Sequence, residues 1–244
     1  MGCRNFAGQA SAQCSDRDSV DARLRELAQA GLDREHSLYD EARCDEANAR
    51  VWIEYCALRM GLFVFGAGDD AKPLLRLANE MGWHVTVAVG RSHLATRTRF
   101  ASAENVAVLN QDASPREMRT QLDIRASDAA VLMTHSFEQD AKILAALLDP
   151  AADYRLAYIG VLGPQRRTRE VLADAAQPLL LPPSDERVEN WLELLHAPVG
   201  LDLGSDSPAT IALSVIAEMQ KVLSAATALP LREVRGCKVT SANR

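Results

Sequence analysis

The chain has 244 residues, of which 48% are hydrophobic and 25% are charged, and its formal net charge is −6. A chain of this size can bury a core that needs neither disulfides nor a metal ion. Its acidic balance argues against a nucleic-acid-binding protein, which ordinarily presents a basic surface. The sequence has no run of 18 apolar residues and no apolar stretch behind its first residues, so we expect a cytoplasmic protein without a membrane span or secretory signal.

Residues 1–60 are polar and alanine-rich, and they form the first of three predicted segments. The spacing of apolar residues predicts one helix over Val20–Ala30, and the branched and aromatic residues of Val51–Tyr55 predict a short strand. The remainder of this segment has little hydrophobic periodicity. We therefore expect it to be partly disordered, or a remnant of a further domain.

Residues 61–228 alternate short apolar strands with helical segments, and residues 229–244 follow as a C-terminal tail. The predicted strands are Leu62–Phe65, His84–Ala88, Val106–Leu109, Ala129–Met133 and Leu156–Ile159. The predicted helices are Asp69–Met81, Ser114–Gln121, Phe137–Leu148, Ser184–Glu193 and Pro208–Ala225. This alternation implies parallel strands with right-handed crossovers, and strands that are apolar throughout imply a sheet covered on both faces. The predicted fold class is therefore α/β, a Rossmann-like doubly wound parallel sheet.

The first predicted strand leads directly into the sequence Gly66-Ala67-Gly68-Asp69-Asp70-Ala71. This is a G-x-G-x-x-A pattern in the strand–turn–helix setting of a dinucleotide-binding loop. The first glycine permits a tight turn, the second lets the backbone approach a phosphate, and the helix N-terminus offers free N–H groups to an anion. Asp69 and Asp70 oppose a phosphate unless they turn away or hold a cation, although both also stabilise the helix dipole. We expect a nucleotide or another anionic ligand here.

The end of the second predicted strand lacks the acid that commonly binds an adenosine ribose, because the sequence there is Ala88-Val89-Gly90-Arg91. Arg91 can favour a 2′-phosphate, which makes NADP a better candidate than NAD. Loss of ordinary dinucleotide binding is an equally open interpretation.

Polar residues also follow the fourth predicted strand, and we expect them to face the glycine turn. His135 can act as a base or a ligand. Thr134 and Ser136 can equally serve as caps of the next helix, which carries Asp140.

Two further glycine-containing loops are expected at the same edge of the sheet. Gly160 and Gly163 follow the fifth predicted strand, ahead of Arg166 and Arg167, whose guanidinium groups suit a phosphate or a carboxylate. The alternative is a plain turn and helix start with solvated arginines. The second loop precedes the last helix, and its residues Asp202 and Gly204 predict a third wall of the same crevice.

The five cysteines are Cys3, Cys14, Cys44, Cys56 and Cys237. Their odd number and scattered spacing predict free thiols and fit neither a disulfide framework nor a zinc site. Cys44 and Cys56 lie nearest the predicted domain and are candidates for handling sulfur. The sequence has no nucleophile elbow, Walker loop or H-E-x-x-H motif, so a hydrolase or a zinc enzyme is disfavoured.

Several of these motifs also occur, in the same order, in a known family. They are Leu62–Asp70 with Pro73-Leu74, Met81-Gly82-Trp83, Val85-Thr86-Val87, Arg99-Phe100, Met133–Asp140, Tyr158–Pro164 with Arg167-Thr168, His196–Gly204, Ile211-Ala212-Leu213 and Ile216-Ala217-Glu218. In these segments the chain resembles the C-terminal Rossmann domain of the XdhC/CoxI family, which assists the maturation of molybdenum hydroxylases.

The resemblance implies a largely non-catalytic accessory factor. Such a factor binds molybdenum cofactor, assists its sulfuration and delivers it to an apo-hydroxylase of the xanthine dehydrogenase or carbon monoxide dehydrogenase type. A cysteine desulfurase is a further implied partner, and we expect a homodimer. The phosphate of the cofactor agrees with the glycine turn and with Arg166 and Arg167. The alternatives are an NADP-dependent oxidoreductase and a nucleotide-sensing binding module.

The chain departs from the family pattern in two places. Typical members carry an additional N-terminal domain, whereas about 60 residues precede Leu62 here, and Arg50–Tyr55 resembles the final strand of that domain. The acid that the family has after the second strand is replaced by Val89-Gly90, although Arg91 remains. We therefore expect truncation or divergence upstream of the Rossmann domain.

Overall fold

The computed structural model describes residues 17–34, 36–44, 47–56, 59–149, 151, 155–182 and 186–234. They fall into two compact units that divide between residues 58 and 59. Residues 1–16 and 235–244, which the sequence assigned to the N-terminal segment and the polar tail, lie outside the described residues. Within the described residues, no helix combines the length and the apolar character that a membrane crossing requires.

The described residues of the first unit form one helix and one hairpin. Helix α1 (Arg17–Arg34) contains the predicted helix and extends it at both ends, while strands β1 (Leu38–Cys44) and β2 (Ala47–Ile53) pair antiparallel. The predicted strand at Val51–Tyr55 overlaps β2. The sequence did not predict β1, because backbone pairing between adjacent strands forms a hairpin without any regular apolar face.

The second unit holds a five-stranded parallel sheet. Its strands are β3 (Gly61–Phe65), β4 (His84–Val89), β5 (Asn105–Val108), β6 (Ala129–Leu132) and β7 (Tyr158–Val161), in the spatial order β5-β4-β3-β6-β7. From β3 the chain moves outward through β4 and β5, and it then returns to the other side of β3 to add β6 and β7. This order confirms the predicted doubly wound topology and places its switch point between β3 and β6.

Helices cover both faces of this sheet. They are α2 (Ala71–Glu80), α3 (Pro115–Leu122), α4 (Phe137–Leu148), α5 (Gln165–Ala176), α6 (Glu186–Leu194) and α7 (Pro208–Leu223). Leu62 and Val64 of β3 are buried in the core that α2 and α7 complete, whereas Phe63 and Phe65 are buried in the core that α3 to α6 complete. Successive residues of β3 therefore alternate between two apolar layers, which explains why the strand is apolar throughout.

Serine caps fix where three of these helices begin. Ser114 accepts a hydrogen bond from the Glu117 N–H and opens α3 with a capping box, as its position before Pro115 predicted. Ser207 caps α7 through Thr210 in the same way, and Ser136 caps α4. Each cap sets the exit direction of the preceding loop, so the loops at the carboxyl edge of the sheet have defined positions.

Glu104 ties the edge strand β5 to β4. Its carboxylate accepts hydrogen bonds from the Val85 N–H at 2.8 Å and from Arg59 at 3.0 Å. Burial raises the pKa of Glu104, but these hydrogen bonds outweigh it and hold the pKa below the ordinary glutamate value of 4.5. The ionised form is thus favoured by folding, so its contribution to stability is present above pH 4.5 and is lost as the pH falls through the folded-state pKa.

We expect Glu104→Gln to lower the free energy of unfolding by about 1–2 kcal/mol at neutral pH, because one charge-assisted hydrogen-bond acceptor is removed. The difference from the native protein should shrink below the ordinary glutamate pKa. Urea denaturation at both pH values measures it, with the exposed Glu80→Gln on α2 as the control. An equal loss at both pH values would contradict this role for the ionised carboxylate.

Candidate functional site

A cavity of about 240 Å³ lies at the carboxyl edge of the sheet, where the strand order reverses. It is formed by the loops that follow β3, β4 and β6, together with the start of α4. Among the residues predicted for the site, the lining includes Gly66, Ala67, Gly68, Arg91, Thr134 and His135. This is the position at which open α/β sheets bind their ligands. The structure therefore brings together the glycine turn, the end of β4 and the polar loop after β6.

Gly66 makes the turn that starts the cavity. Its φ is +140°, and a Cβ atom there would lie 2.7 Å from the carbonyl oxygen of Met133. The Gly66 N–H donates to the Ala88 carbonyl at 3.1 Å, so the turn is held between the ends of β4 and β6. This agrees with the predicted requirement for glycine at the tight turn.

The Asp70 side chain lies against Gly68, and the approach of a phosphate to this glycine stays a prediction. The Asp70 carboxylate folds back against Gly68 and occupies the place that a Cβ atom there would need. Asp70 makes no capping bond to α2, and its carboxylate lies beside the Gly68 Cα instead, while Gly68 itself remains part of the cavity lining. The buried Oδ1 atom of Asp70 has no hydrogen-bond partner among the described residues.

The backbone of the same loop still offers donors. The N–H groups of Gly68, Asp69 and Asp70 have no acceptor within the described part of the chain. They precede the first turn of α2, where the partial positive charge of the helix dipole is concentrated. An anion that approaches this loop therefore meets free N–H groups, as the sequence predicted.

Asp69 turns away from the loop and is neutralised by two cations. Its Oδ1 atom lies 2.8 Å from Lys72 Nζ and 2.9 Å from Arg99, and these contacts, Lys72 first, hold the pKa of Asp69 below its ordinary value. Arg99 also donates to the Ala67 carbonyl at 2.8 Å, and the neighbouring Phe100 is buried. Arg99 thus clamps the glycine loop. It was not among the predicted site residues, and its one signal in the sequence was the Arg99-Phe100 pair of the family resemblance.

An ion pair with a buried carboxylate joins the first turns of α4 and α5, the helices that follow β6 and β7. The Asp140 side chain is 1% exposed, accepts a hydrogen bond from Thr134 at 2.6 Å and pairs with Arg167 at 2.7 Å. Burial raises the pKa of Asp140 above its ordinary value, while Thr134 and Arg167 act against that rise. The Arg167 guanidinium therefore pairs with a carboxylate of the protein itself, and a role for Arg167 in binding a ligand stays a prediction.

The residues next to this ion pair show whether the polar side chains after β6 and β7 are free to bind a ligand or serve only as helix caps and solvated arginines. Arg166 is 90% exposed and its nearest carboxylate is Glu170 of the next helical turn, so it matches the alternative of a solvated arginine. Ser136 is the cap of α4, whereas His135 is exposed at the rim of the cavity. The capping interpretation thus holds for Ser136, and His135 keeps a side chain that a ligand can reach.

The remaining glycine-rich loops do not line the cavity. Strand β7 ends two residues later than predicted, so Gly160 lies inside the strand, where a Cβ atom would meet Val199 at 2.5 Å. The predicted loop is thus reduced to the turn at Gly163, whose φ is +122°. Gly160 is required for packing between β7 and the segment beyond it.

Asp202 lines a second depression, of about 270 Å³, together with Leu201 and Leu203. The chain reaches it because residues 196–199 run beside β7, with His196 N–H donating to the Ile159 carbonyl and Val199 N–H to the Val161 carbonyl. The structure therefore places Asp202 in a different depression from the cavity that contains the glycine turn. Gly204 has a φ of +68° and open space around it, and it does not line the cavity either.

The two candidate sulfur-handling cysteines lie in the first unit. Cys56 follows β2 and is an exposed free thiol, and Cys44 is the last residue of β1. Cys3, Cys14 and Cys237 lie outside the described residues. The described residues also contain no cluster of three or more side chains suited to a metal ion.

The sequence of this chain was compared with protein families and with known proteins. Residues 62–219 match the model of the XdhC Rossmann domain. The chain is 34% identical over 174 residues to a probable xanthine dehydrogenase subunit from Bacillus subtilis (strain 168), a match covering 71% of this chain and 46% of that protein. It is 25% identical over 172 residues to the uncharacterized protein YqeB of Escherichia coli (strain K12), covering 70% of this chain and 29% of that protein.

A solved structure agrees with these matches. The crystal structure of a xanthine dehydrogenase from Bacillus halodurans superposes with a TM-score of 0.54 at 28% sequence identity, covering 74% of this chain and 48% of that one. The chain thus spans less than half the length of each of these relatives. Because the family model covers most of the chain, the protein belongs to the XdhC family, and residues 62–219 are its Rossmann domain.

Proposed function

We propose that the protein is an accessory factor in the maturation of a molybdenum hydroxylase of the xanthine dehydrogenase type, and that its cavity holds the molybdenum cofactor. The observation that carries this proposal is the set of free N–H groups at Gly68, Asp69 and Asp70, which lie at the switch point of an XdhC-type Rossmann domain. The names of two relatives contain xanthine dehydrogenase, which supports an enzyme of that kind as the partner.

The residues of the cavity fit the chemistry of this cofactor. Its phosphate needs N–H donors and a cation, which the glycine loop and the exposed Arg91 supply. Its flat pterin needs apolar walls, and Leu94, Leu109 and Ile143 line the cavity. Once bound, the cofactor would supply the molybdenum centre of the hydroxylase, and the residues of this chain would bind, orient and shield it.

Assistance with sulfuration is a further part of the proposal. The exposed thiol of Cys56 is accessible to a partner such as a cysteine desulfurase, and Cys44 is the second candidate. Sulfur transfer to the cofactor in the presence of a desulfurase should fall in Cys56→Ser or in Cys44→Ser. If both variants leave hydroxylase sulfuration unchanged, neither thiol takes part.

NADP is the second candidate ligand of the same cavity. The end of β4 carries Arg91, and the lining contains no aspartate or glutamate among the described residues, which disfavours the ribose diol of NAD and favours a 2′-phosphate. An oxidoreductase or a nucleotide-sensing module would follow from this ligand.

Retention of released molybdenum cofactor by the purified protein separates the two candidates. After ultrafiltration, detection of the oxidised pterin should show near one cofactor per chain, undiminished by NADPH. Arg91→Ala should weaken retention about tenfold, the effect of one lost charge-assisted contact, while Arg76→Ala on the exposed surface of α2 should not. Absence of retention together with NADPH binding would overturn the proposal.

A further inference from the structure

Two glutamine side chains meet at the end of β4. A Cβ atom on Gly90 would lie 2.5 Å from Nε2 of Gln111, and it would overlap Nε2 of Gln139. Gln139 belongs to the first turn of α4 and Gln111 to the loop after β5, so two separate elements bring their amides to one point. The glycine at position 90 is the residue that leaves room for both.

Backbone contacts place these residues without using their amides. Ser136 accepts a hydrogen bond from the Gln139 N–H at 3.3 Å, and Lys142 donates to the Gln111 carbonyl at 3.0 Å. Both side chains are half-buried, and their amide groups have no hydrogen-bond partner among the described residues. Neither amide is among the fully buried polar atoms without a partner, so both remain accessible and can pair with the complementary groups of a bound molecule.

The surroundings of the amides restrict what such a molecule can be. Ala88, Val89, Leu109 and Ile143 form apolar walls around this end of the cavity, and no carboxylate of the described residues belongs to its lining. A primary amide donates and accepts in one plane, so it pairs with a planar ring that has donors and acceptors along its edge. A ribose diol, in contrast, is commonly held by a carboxylate, which the lining does not provide.

We infer that Gln111 and Gln139 are specificity-determining residues, which bind the polar edge of a planar heterocycle at the end of β4, while the glycine loop binds its phosphate. The inference rests on the proposed function only for the identity of the ring: if the cavity holds the molybdenum cofactor, the ring is its pterin. A purine base presents the same in-plane chemistry, so the ring of a nucleotide is the other source.

This assignment can be tested in the full-length protein with variants that remove each amide but preserve the size of the side chain. We expect Gln139→Leu and Gln111→Leu each to weaken binding of 6-hydroxymethylpterin about tenfold, which corresponds to one lost hydrogen bond. Gln220→Leu, an exposed residue of α7, is the matched control and should bind as the native protein does. Binding of inorganic pyrophosphate should be unchanged in all three variants, because it contacts the glycine loop.

Parallel titrations with GMP, AMP and ribose 5-phosphate identify the source of the ring. If GMP or AMP binds in place of the pterin and loses affinity in the two leucine variants, the amide pair reads a nucleotide base and the proposed cofactor function fails. If the pterin binds and both leucine variants retain full affinity, the inference is overturned and the proposed function stands. Binding of ribose 5-phosphate as tight as that of the ring compounds would also overturn it, and so would binding of none of the ring compounds.

Discussion

Replacing Arg167 with alanine is expected to lower the free energy of unfolding by about 3 kcal/mol, because it leaves the buried Asp140 carboxylate without its cation. The hydrogen bond from Thr134 compensates only in part, since it satisfies one oxygen of the carboxylate. The adjacent Arg166 is the matched control. It is 90% exposed and, among the described residues, pairs only with Glu170 on its own helix, so its alanine variant should change the free energy of unfolding by less than about 0.5 kcal/mol.

The pH dependence gives this prediction a second readout. Burial already raises the pKa of Asp140, and loss of Arg167 should raise that pKa further. A carboxyl whose pKa is raised by folding contributes most to stability at low pH, and that contribution is lost as the pH rises through the folded-state pKa. The deficit of Arg167→Ala should therefore grow from acidic to neutral pH in urea denaturation. Equal deficits in the two arginine variants would show that the Asp140 pair does not stabilise the fold.

Replacing Gly66 with alanine is expected to have the largest effect on the cavity. The new methyl group would lie 2.7 Å from the Met133 carbonyl oxygen and 2.9 Å from its carbon, and both are backbone atoms that no rotamer change can move. In addition, φ at position 66 is +140°, where an alanine is strained. We expect a loss of about 3–5 kcal/mol in the free energy of unfolding, from strain and overpacking together.

Gly82→Ala separates these two causes. Its φ is +77°, but no atom lies within 4 Å of the position that a Cβ atom would take. This variant should lose only about 1–2 kcal/mol, the cost of the backbone conformation alone. Thermal unfolding ranks the two variants, and retention of the pterin should be lost in Gly66→Ala and kept in Gly82→Ala. A Gly66→Ala variant as stable as Gly82→Ala would mean that β6 can shift away from the turn.

The sequence predicted the sheet well because each strand is buried on both faces and is therefore apolar throughout. Prediction was weaker where an apolar run continues past the paired residues. Leu156 and Ala157 precede β7, and counting them as strand placed Gly160 in a loop. Pairing with β6 and with residues 196–199 decides where β7 lies, and such pairing leaves no local signal.

At the candidate site, too, features set by the local sequence could be predicted, whereas features set by packing between distant segments could not. The G-x-G-x-x-A pattern located the turn because the conformation of Gly66 is a local property of the chain. The partner of Arg167 could not be read from the sequence, because Asp140 lies on a different helix and meets it only after α4 and α5 pack. Gln111 and Gln139 converge on Gly90 for a similar reason, since β5, α4 and β4 must all be in place first.

The free N–H groups of Gly68, Asp69 and Asp70 have a consequence for the lifetime of the protein. An anion that accepts hydrogen bonds from these groups binds only the folded chain, because folding is what brings them together at the start of α2. A ligand at a hundred times its Kd adds about 2.7 kcal/mol to the free energy of unfolding. Since proteases degrade chains in proportion to how often they open, the loaded protein would outlast the free one. Its abundance in the cell would then follow the supply of its ligand, without any change in synthesis.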